Sequence, residues 1–313
     1  MGDVIRIGTR GSKLALWQAE WVKSALENRS PGVSVELVVI KTKGDKIQDV
    51  PLAKVGGKGL FVKEIEEAIL DGRVDLAVHS MKDMPAEIPE GLCIGAVPVR
   101  EDPRDVFISS SGRHLDALPQ GARVGTSSLR RAAQLRHGRP DLDVQPLRGN
   151  LDTRMRKLDE GQFDAVVLAA AGVKRLDLAH RITQSLAPET MLPAVGQGAL
   201  CIEVRENDPR IGPLARGLDH RETRRAVTGE RAFLHKLEGG CQVPIAAHGV
   251  IDGERLTLSG LVAELDGSAM IKETLSGPAT DAGEIGVRLA QRLLDRGAGD
   301  ILERLKAEAD ENG

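Results

Sequence analysis

Aromatic residues are nearly missing from this chain. They make up 2% of its 313 residues, as two tryptophans, four phenylalanines and no tyrosine. Stacking on nucleobases, the usual grip on single strands, therefore lacks its side chains. Cysteine is scarce as well, at three; an odd, small number excludes a disulfide scaffold and suits a reducing, cytoplasmic compartment. No apolar run approaches the roughly 18 residues of a membrane helix. The N-terminus enters a strand pattern at once, so neither a membrane span nor a signal peptide is expected. Charge of one sign is lacking too: 43 bases against 46 acids leave a net charge of -3. That argues against a coat for nucleic acid or membrane, though not against a local basic cleft. A GxxxxGK[ST] phosphate loop and zinc-type Cys/His spacing are missing, and no metal is expected.

What is present is arginine, at 29 residues against 14 lysines. The guanidinium fork pairs with carboxylate and phosphate, so the excess hints at polyanionic ligands, with a high-G+C genome as the plain alternative. Residues 4–7 form an apolar strand. A turn of Gly8, Thr9, Arg10, Gly11 and Ser12 leads into a helix with Ser12 as its cap, and Leu14, Trp17, Trp21 and Ala25 are expected to form its buried face. A second strand (35–40), a helix closed by Gly72 and a buried strand (75–79) follow. The next stretch repeats this order. Residues 123–129 echo 6–12, Asn150 caps a helix ending at Gly161, and 163–167 echo 74–78. Two like α/β halves with mainly parallel sheets are expected. An apolar strand at 199–204 is free to return to the first half. The last third differs: a helix (222–238) precedes three strands joined by Asp252-Gly253 and Asp266-Gly267, which reads as an antiparallel meander. A helix ending at Gly297 and a short helix with Asp300 and Glu303 as a capping pair complete it. The expected domains are 1–98 with 198–217, 103–194 and 220–313, joined through linkers 97–105 and 192–198.

Three groups of residues could carry chemistry. Residues 121–157 hold eight arginines and one lysine against three aspartates. Several of those cations stand at helix starts, where the dipole favours acids, so an anionic ligand explains them better than chance. The second group is residues 78–85, where a strand delivers His79, Ser80, Lys82 and Asp83 before Pro85 stops any helix. Asp83 supplies a carboxylate that could stabilise a developing cation or move a proton. The third is Cys241 on the Gly239-Gly240-Cys241 loop, accessible where Cys93 and Cys201 sit in apolar strands. A thiol hydrolase pairing Cys241 with His79, His235 or His248, and a non-catalytic anion-binding module, are the rival readings.

These stretches are similar to the porphobilinogen deaminase (hydroxymethylbilane synthase) family over almost the whole chain. The resemblance rests on residues 78–85, 125–131, 148–154, 229–234 and 239–247, with Met84 the one departure, where many relatives carry a branched aliphatic residue. It implies two periplasmic-binding-protein-like α/β domains plus a small C-terminal α+β domain with a three-stranded antiparallel sheet. It also implies a dipyrromethane cofactor held by Cys241 through a thioether, and head-to-tail joining of four porphobilinogen units with loss of ammonia, in a cytoplasmic monomer that binds neither nucleic acid nor membrane. A six-ring chain would carry twelve carboxylates, which gives a cationic cleft its reason. By resemblance, Asp83 is catalytic and also contacts the cofactor. Ser12, Lys82, Thr126, Ser128, Arg130, Arg131 and Arg148 bind cofactor, and Arg10, Ser12, Arg148, Arg154 and Arg175 bind substrate, with His79 and Ser80 beside them. Lys54 and Lys58 belong to a lid, and Phe61 packs near the cofactor.

Overall fold

The structure is a computed structural model that describes residues 4–46, 59, 61–237 and 243–311. Its first five-stranded sheet has the order β2-β1-β3-β10-β4. The strands are β1 (Val4–Thr9), β2 (Ser34–Val39), β3 (Leu76–Ser80), β4 (Leu92–Ala96) and β10 (Leu200–Arg205). The second sheet runs β7-β6-β8-β5-β9, from β5 (Asp105–Ser109), β6 (Arg123–Gly125), β7 (Asp143–Gln145), β8 (Ala165–Ala169) and β9 (Gln184–Ser185). The two orders are the same in kind. Each has three parallel strands, then one antiparallel strand, then an edge strand. The antiparallel strand is the informative one. β5 follows the first linker and β10 follows the second, so each half is completed by a strand entering directly from the other. The strand at 199–204 does return to the first half, and its counterpart is β5.

Helices cover both sheets: α1 (Lys13–Arg29), α2 (Lys43–Lys46), α3 (Lys63–Leu70), α4 (Leu129–Gly138), α5 (Leu151–Asp159), α6 (Ala170–Arg175) and α7 (Ile211–Arg216). Local chemistry fixes their ends. The side chains of Ser12, Ser128 and Asn150 accept from the backbone N–H of Ala15, Arg131 and Thr153, which satisfies donors that a helix start leaves open. The expected buried face of α1 is corrected. Gln18, Ala19, Val22 and Leu26 pack on the first sheet, while Trp17 and Trp21 are exposed by 37% and 39%. Leu14 and Trp17 turn instead toward the second half, where the Arg175 guanidinium lies 5.6 Å from the Trp17 ring centroid and Leu14 lies over Gly172 of α6.

The C-terminal part places α8 (Arg221–Lys236), α9 (Ala282–Leu293) and α10 (Gly299–Glu311) against β11 (Ile245–Asp252), β12 (Arg255–Ala263) and β13 (Met270–Pro278). These strands form the expected antiparallel meander, turning at Gly253 and Gly267, both with positive φ. α10 begins at Gly299, so Asp300 lies in its first turn rather than at a cap. Phe233, Leu256, Leu258, Ile285 and Leu289 form this part's core. Glu230 ties it to the linkers. Wholly buried, it accepts from Arg100 (Nη1 at 2.6 Å), from Gly196 N (2.6 Å) and from Gly249 N (2.8 Å). The linkers also touch each other at Gly198, whose φ is +88° and whose carbonyl accepts from Glu101 N at 3.3 Å and Arg175 Nη2 at 2.8 Å. A Cβ there would strike the Glu101 carbonyl.

Candidate active site

β3 ends where the two halves face each other, and a single 3-10 turn (Met81–Asp83) follows it. Met81 and Met84 are 1% and 4% exposed and anchor the turn in a core shared with Val62, Val97, Ala199 and Cys201. Met84 is extended (φ −72°, ψ 137°) as Pro85 demands. Between these anchors Lys82 and Asp83 are left half-buried. Arg231 of α8 fixes the exit, donating from Nη2 to the Pro85 and Ala86 carbonyls at 2.9 and 3.0 Å.

Asp83 shares one cavity with Arg10, Ser12, Gln18, Phe61, His79 and Ser80. The Arg10 guanidinium stacks 4.1 Å from the Phe61 ring centroid, which holds it at the cleft at a gain of about 1 kcal/mol. Gln18, which sequence reasoning missed, is 3% exposed, and its Nε2 donates to Ser80 Oγ at 2.9 Å. A polar residue on the sheet-facing side of α1 was the available signal.

The facing wall comes from the second half. Thr126 Oγ1 accepts from Ser128 N at 3.2 Å, and Ser128 caps α4. Arg154 Nε donates to the Gly149 carbonyl at 2.9 Å. Burial, together with the like charges of Arg131 and Arg148, pulls Arg154 down to about 10. Lys82 reports the same crowding from the opposite wall. Burial brings it down to about 8, Asp83 and Asp105 oppose the fall, and Arg130 and Arg131 add to it. Arg10, Lys82, Arg130, Arg131, Arg148 and Arg154 thus stand against the carboxylates of Asp83 and Asp105. Such an excess repels itself until anions enter.

Some expected ligand-binding residues lie deeper than the sequence implied. Arg130 and Arg131 are each 5% exposed and clasp Asp105, which is wholly buried. Arg130 Nη1 donates to Asp105 Oδ2 at 2.7 Å and to the Leu192 carbonyl at 2.6 Å; Arg131 Nε donates to Asp105 Oδ1 at 2.9 Å. Gln197 Nε2 joins at 2.9 Å. The pair therefore grips both linkers as well as edging the cleft. Asp105 remains ionised because two guanidiniums outweigh its burial, holding its carboxyl down to about 2. Arg175 is 8% exposed and struts Gly198 and Trp17. His79 is 5% exposed, with Nε2 3.0 Å from Glu203 Oε2. Cys201 is wholly buried, and burial pushes its thiol up, as it does that of Cys93. Cys241, Lys54 and Lys58 lie outside the described residues. No helix among the described residues is long and apolar enough to cross a membrane.

Fold and site define a class: an α/β protein of two like halves with a cation-walled cleft between them, built around one aspartate and suited to a polyanion. Comparison with known proteins narrows it. The family model "Porphobilinogen deaminase, dipyromethane cofactor binding domain" matches residues 5–212, and "Porphobilinogen deaminase, C-terminal domain" matches 224–295. Porphobilinogen deaminase of Syntrophotalea carbinolica is 60% identical over 303 residues, 97% of this chain and 96% of the relative. That of Geobacter sulfurreducens is 57% identical over 298 residues, covering 95% of this chain and 93% of the relative. Among solved structures, the methionine-binding protein MetQ is similar at 15% identity and a TM-score of 0.43, over 69% of this chain and 89% of that one. The chain belongs to the porphobilinogen deaminase family.

Proposed function

We propose that this chain joins four porphobilinogen molecules head to tail, with loss of ammonia at each addition, and releases hydroxymethylbilane for tetrapyrrole biosynthesis. The observation that carries this reading is the imbalance of six cations against two carboxylates around Asp83. Each pyrrole brings an acetate and a propionate, which guanidinium and ammonium groups match in charge and geometry. Such donors also fit a dipyrromethane cofactor, which when bound supplies the pyrrole carbon from which growth starts. Cys241 holds it through a thioether; a carbon–sulfur bond withstands a reducing compartment, where a disulfide would not.

Each residue then has a task. Arg10, Arg148 and Arg154, with Ser12, Thr126 and Ser128, hold the carboxylates of bound rings. Asp83 accepts pyrrole N–H groups and places negative charge where ammonia departs and positive charge develops, the kind of electrostatic help that often dominates catalysis. Lys82 lies beside it and holds a propionate within reach. Arg130 and Arg131 turn what donor capacity Asp105 leaves them toward the cleft, while Arg175 and His79 shape its wall. Lys54 and Lys58 belong to a lid over it. The chain divides at 1–98 with 198–217, 103–194 and 220–313, and works as a cytoplasmic monomer on small molecules rather than on nucleic acid.

The test is a pyrrole-reactive aldehyde dye applied to denatured, exhaustively washed protein. Colour retained on the polypeptide is expected, and lost in Cys241→Ser. An active enzyme that stays colourless would overturn the reading in favour of thiol hydrolysis.

A further inference from the structure

Behind the cleft wall lies a buried set of titratable groups of which the roles above use only His79, as part of that wall. His79 on β3 and Cys201 on β10 are register partners, and Glu203, two residues along β10, shares their face of the sheet. α3 covers that face and lowers Glu66 onto it. Glu66, His79 and Glu203 are 7%, 5% and 0% exposed. His79 Nε2 meets Glu203 Oε2 at 3.0 Å, while Glu203 Oε1 and Glu66 Oε1 are buried without any hydrogen-bond partner. Leaving two carboxylate oxygens unsatisfied in a sheet–helix core is costly if both groups are charged. His79 also lines the cavity that holds Asp83, so the set reaches the cleft through one ring.

We propose that Glu66, His79 and Glu203 form a proton-holding cluster behind the cleft, with His79 exchanging protons with the cleft and the two glutamates acting through it as positioning residues. The inference rests on the function proposed above, whose proton balance calls for such a group. When the carbon–nitrogen bond of an aminomethyl ammonium breaks, the electron pair leaves with ammonia. The new carbon–carbon bond then forms, and the attacked ring regains aromaticity only when its carbon–hydrogen bond breaks and the proton goes to a base. Ammonia has by then left the carbon, so the proton passes to the His79 ring and is later released as ammonium or to water. Each addition is balanced, with no oxidant or reductant.

The groups that set the cluster's charge come from every element packed on it. They are Glu66 and Glu67 of α3, His79 of β3, Cys93 of β4, Cys201 and Glu203 of β10, and Arg231 of α8, which faces Cys201 and Glu203. Burial and the charge of Glu203 raise Glu66 to about 7, with His79 opposing. One glutamate therefore carries a proton near neutrality.

Two measurements on the full-length protein decide the matter. Infrared titration without substrate should show a protonated carboxyl that disappears between pH 6 and pH 8.5, at about the neutral midpoint. The band should be absent in Glu66→Gln, move to lower pH in Glu203→Gln, and move less in Glu67→Gln, whose charge raises Glu66 by less than that of Glu203. The pH profile of kcat should move by about one unit in Glu66→Gln, and kcat should fall about tenfold or more in Glu203→Gln with KM unchanged. Unaltered profiles and kcat in both variants, in enzyme that still consumes porphobilinogen, would overturn the proposal, as would the lack of any such band. Wild-type protein that leaves porphobilinogen untouched would instead overturn the proposed function, which separates the two failures.

Discussion

Lys82 and Glu66 show how burial sets charge one residue at a time. Lys82 is held at about 8, so around pH 8 to 9 much of it has lost its proton before ligand arrives. A carboxylate beside it favours the ammonium form. Binding of porphobilinogen at pH 8.5 should therefore take up a substantial fraction of a proton, read by calorimetry in two buffers of different ionisation heat. Lys82→Gln should lose that uptake, and equal uptake in both proteins would contradict the assignment. Glu66 works in the opposite direction on stability. Its folded value is raised from 4.5 to about 7, so the native state binds this proton more tightly than the unfolded chain. The stability it contributes is complete below about pH 4.5 and lost as pH rises through 7. Glu66→Gln should gain on the wild type between pH 5 and pH 8 by an amount on the order of 3 kcal/mol. A urea-midpoint difference that is the same at both pH values would refute this.

At the scale of elements, what the sequence made legible was local. The caps at Ser12 and Asn150, the Asp-Gly hairpins, and the stop imposed by Pro85 each depend on neighbours within a few residues, and the structure has them. The partners that lock elements together were not legible. Asp105 meets Gln197 at a separation of 92 residues, His79 meets Glu203 at 124 and Arg100 meets Glu230 at 130. No periodicity connects such distant positions. The tryptophan stripe of α1 misled for a related reason: its apolar spacing is real, but Leu14 and Trp17 serve the contact with α6 rather than the sheet, and Trp21 is exposed. The basic run at 121–157 was visible as charge. Its sequence did not reveal that Arg130 and Arg131 spend their donors on a buried aspartate and on the Leu192 and Val167 carbonyls. Arg130→Leu should accordingly destabilise the fold by about 3–5 kcal/mol, because Asp105 loses half its counter-charge in a buried setting. A chemical-denaturation shift under about 1 kcal/mol would show that the clasp is dispensable.

Taken whole, the molecule carries a net charge of -3 around a cationic interior cleft. The two linkers cross at Gly198, where Arg175, Glu101 and the Asp105 clasp converge. β5 and β10 each leave that crossing to complete the opposite half, so a shift between halves must pull on the buried clasp of Arg130 and Arg131 on Asp105. The cationic cleft attracts the anionic rings of porphobilinogen. Because the attraction is electrostatic, kcat/KM for porphobilinogen should fall steeply as ionic strength rises from 0.01 to 0.2 M, over which the screening length drops from about 30 to under 10 Å. A flat salt dependence would argue that the cleft's charge plays no part in capture.

The most direct measurement is intact-mass spectrometry of active enzyme before and during turnover. The account predicts a resting mass that exceeds the polypeptide by two joined pyrrole units, and a ladder of one-unit increments when porphobilinogen is added. Cys93→Ser should retain both, and Cys241→Ser should lose both. Fully active wild-type enzyme at the bare polypeptide mass, with no ladder, would contradict it.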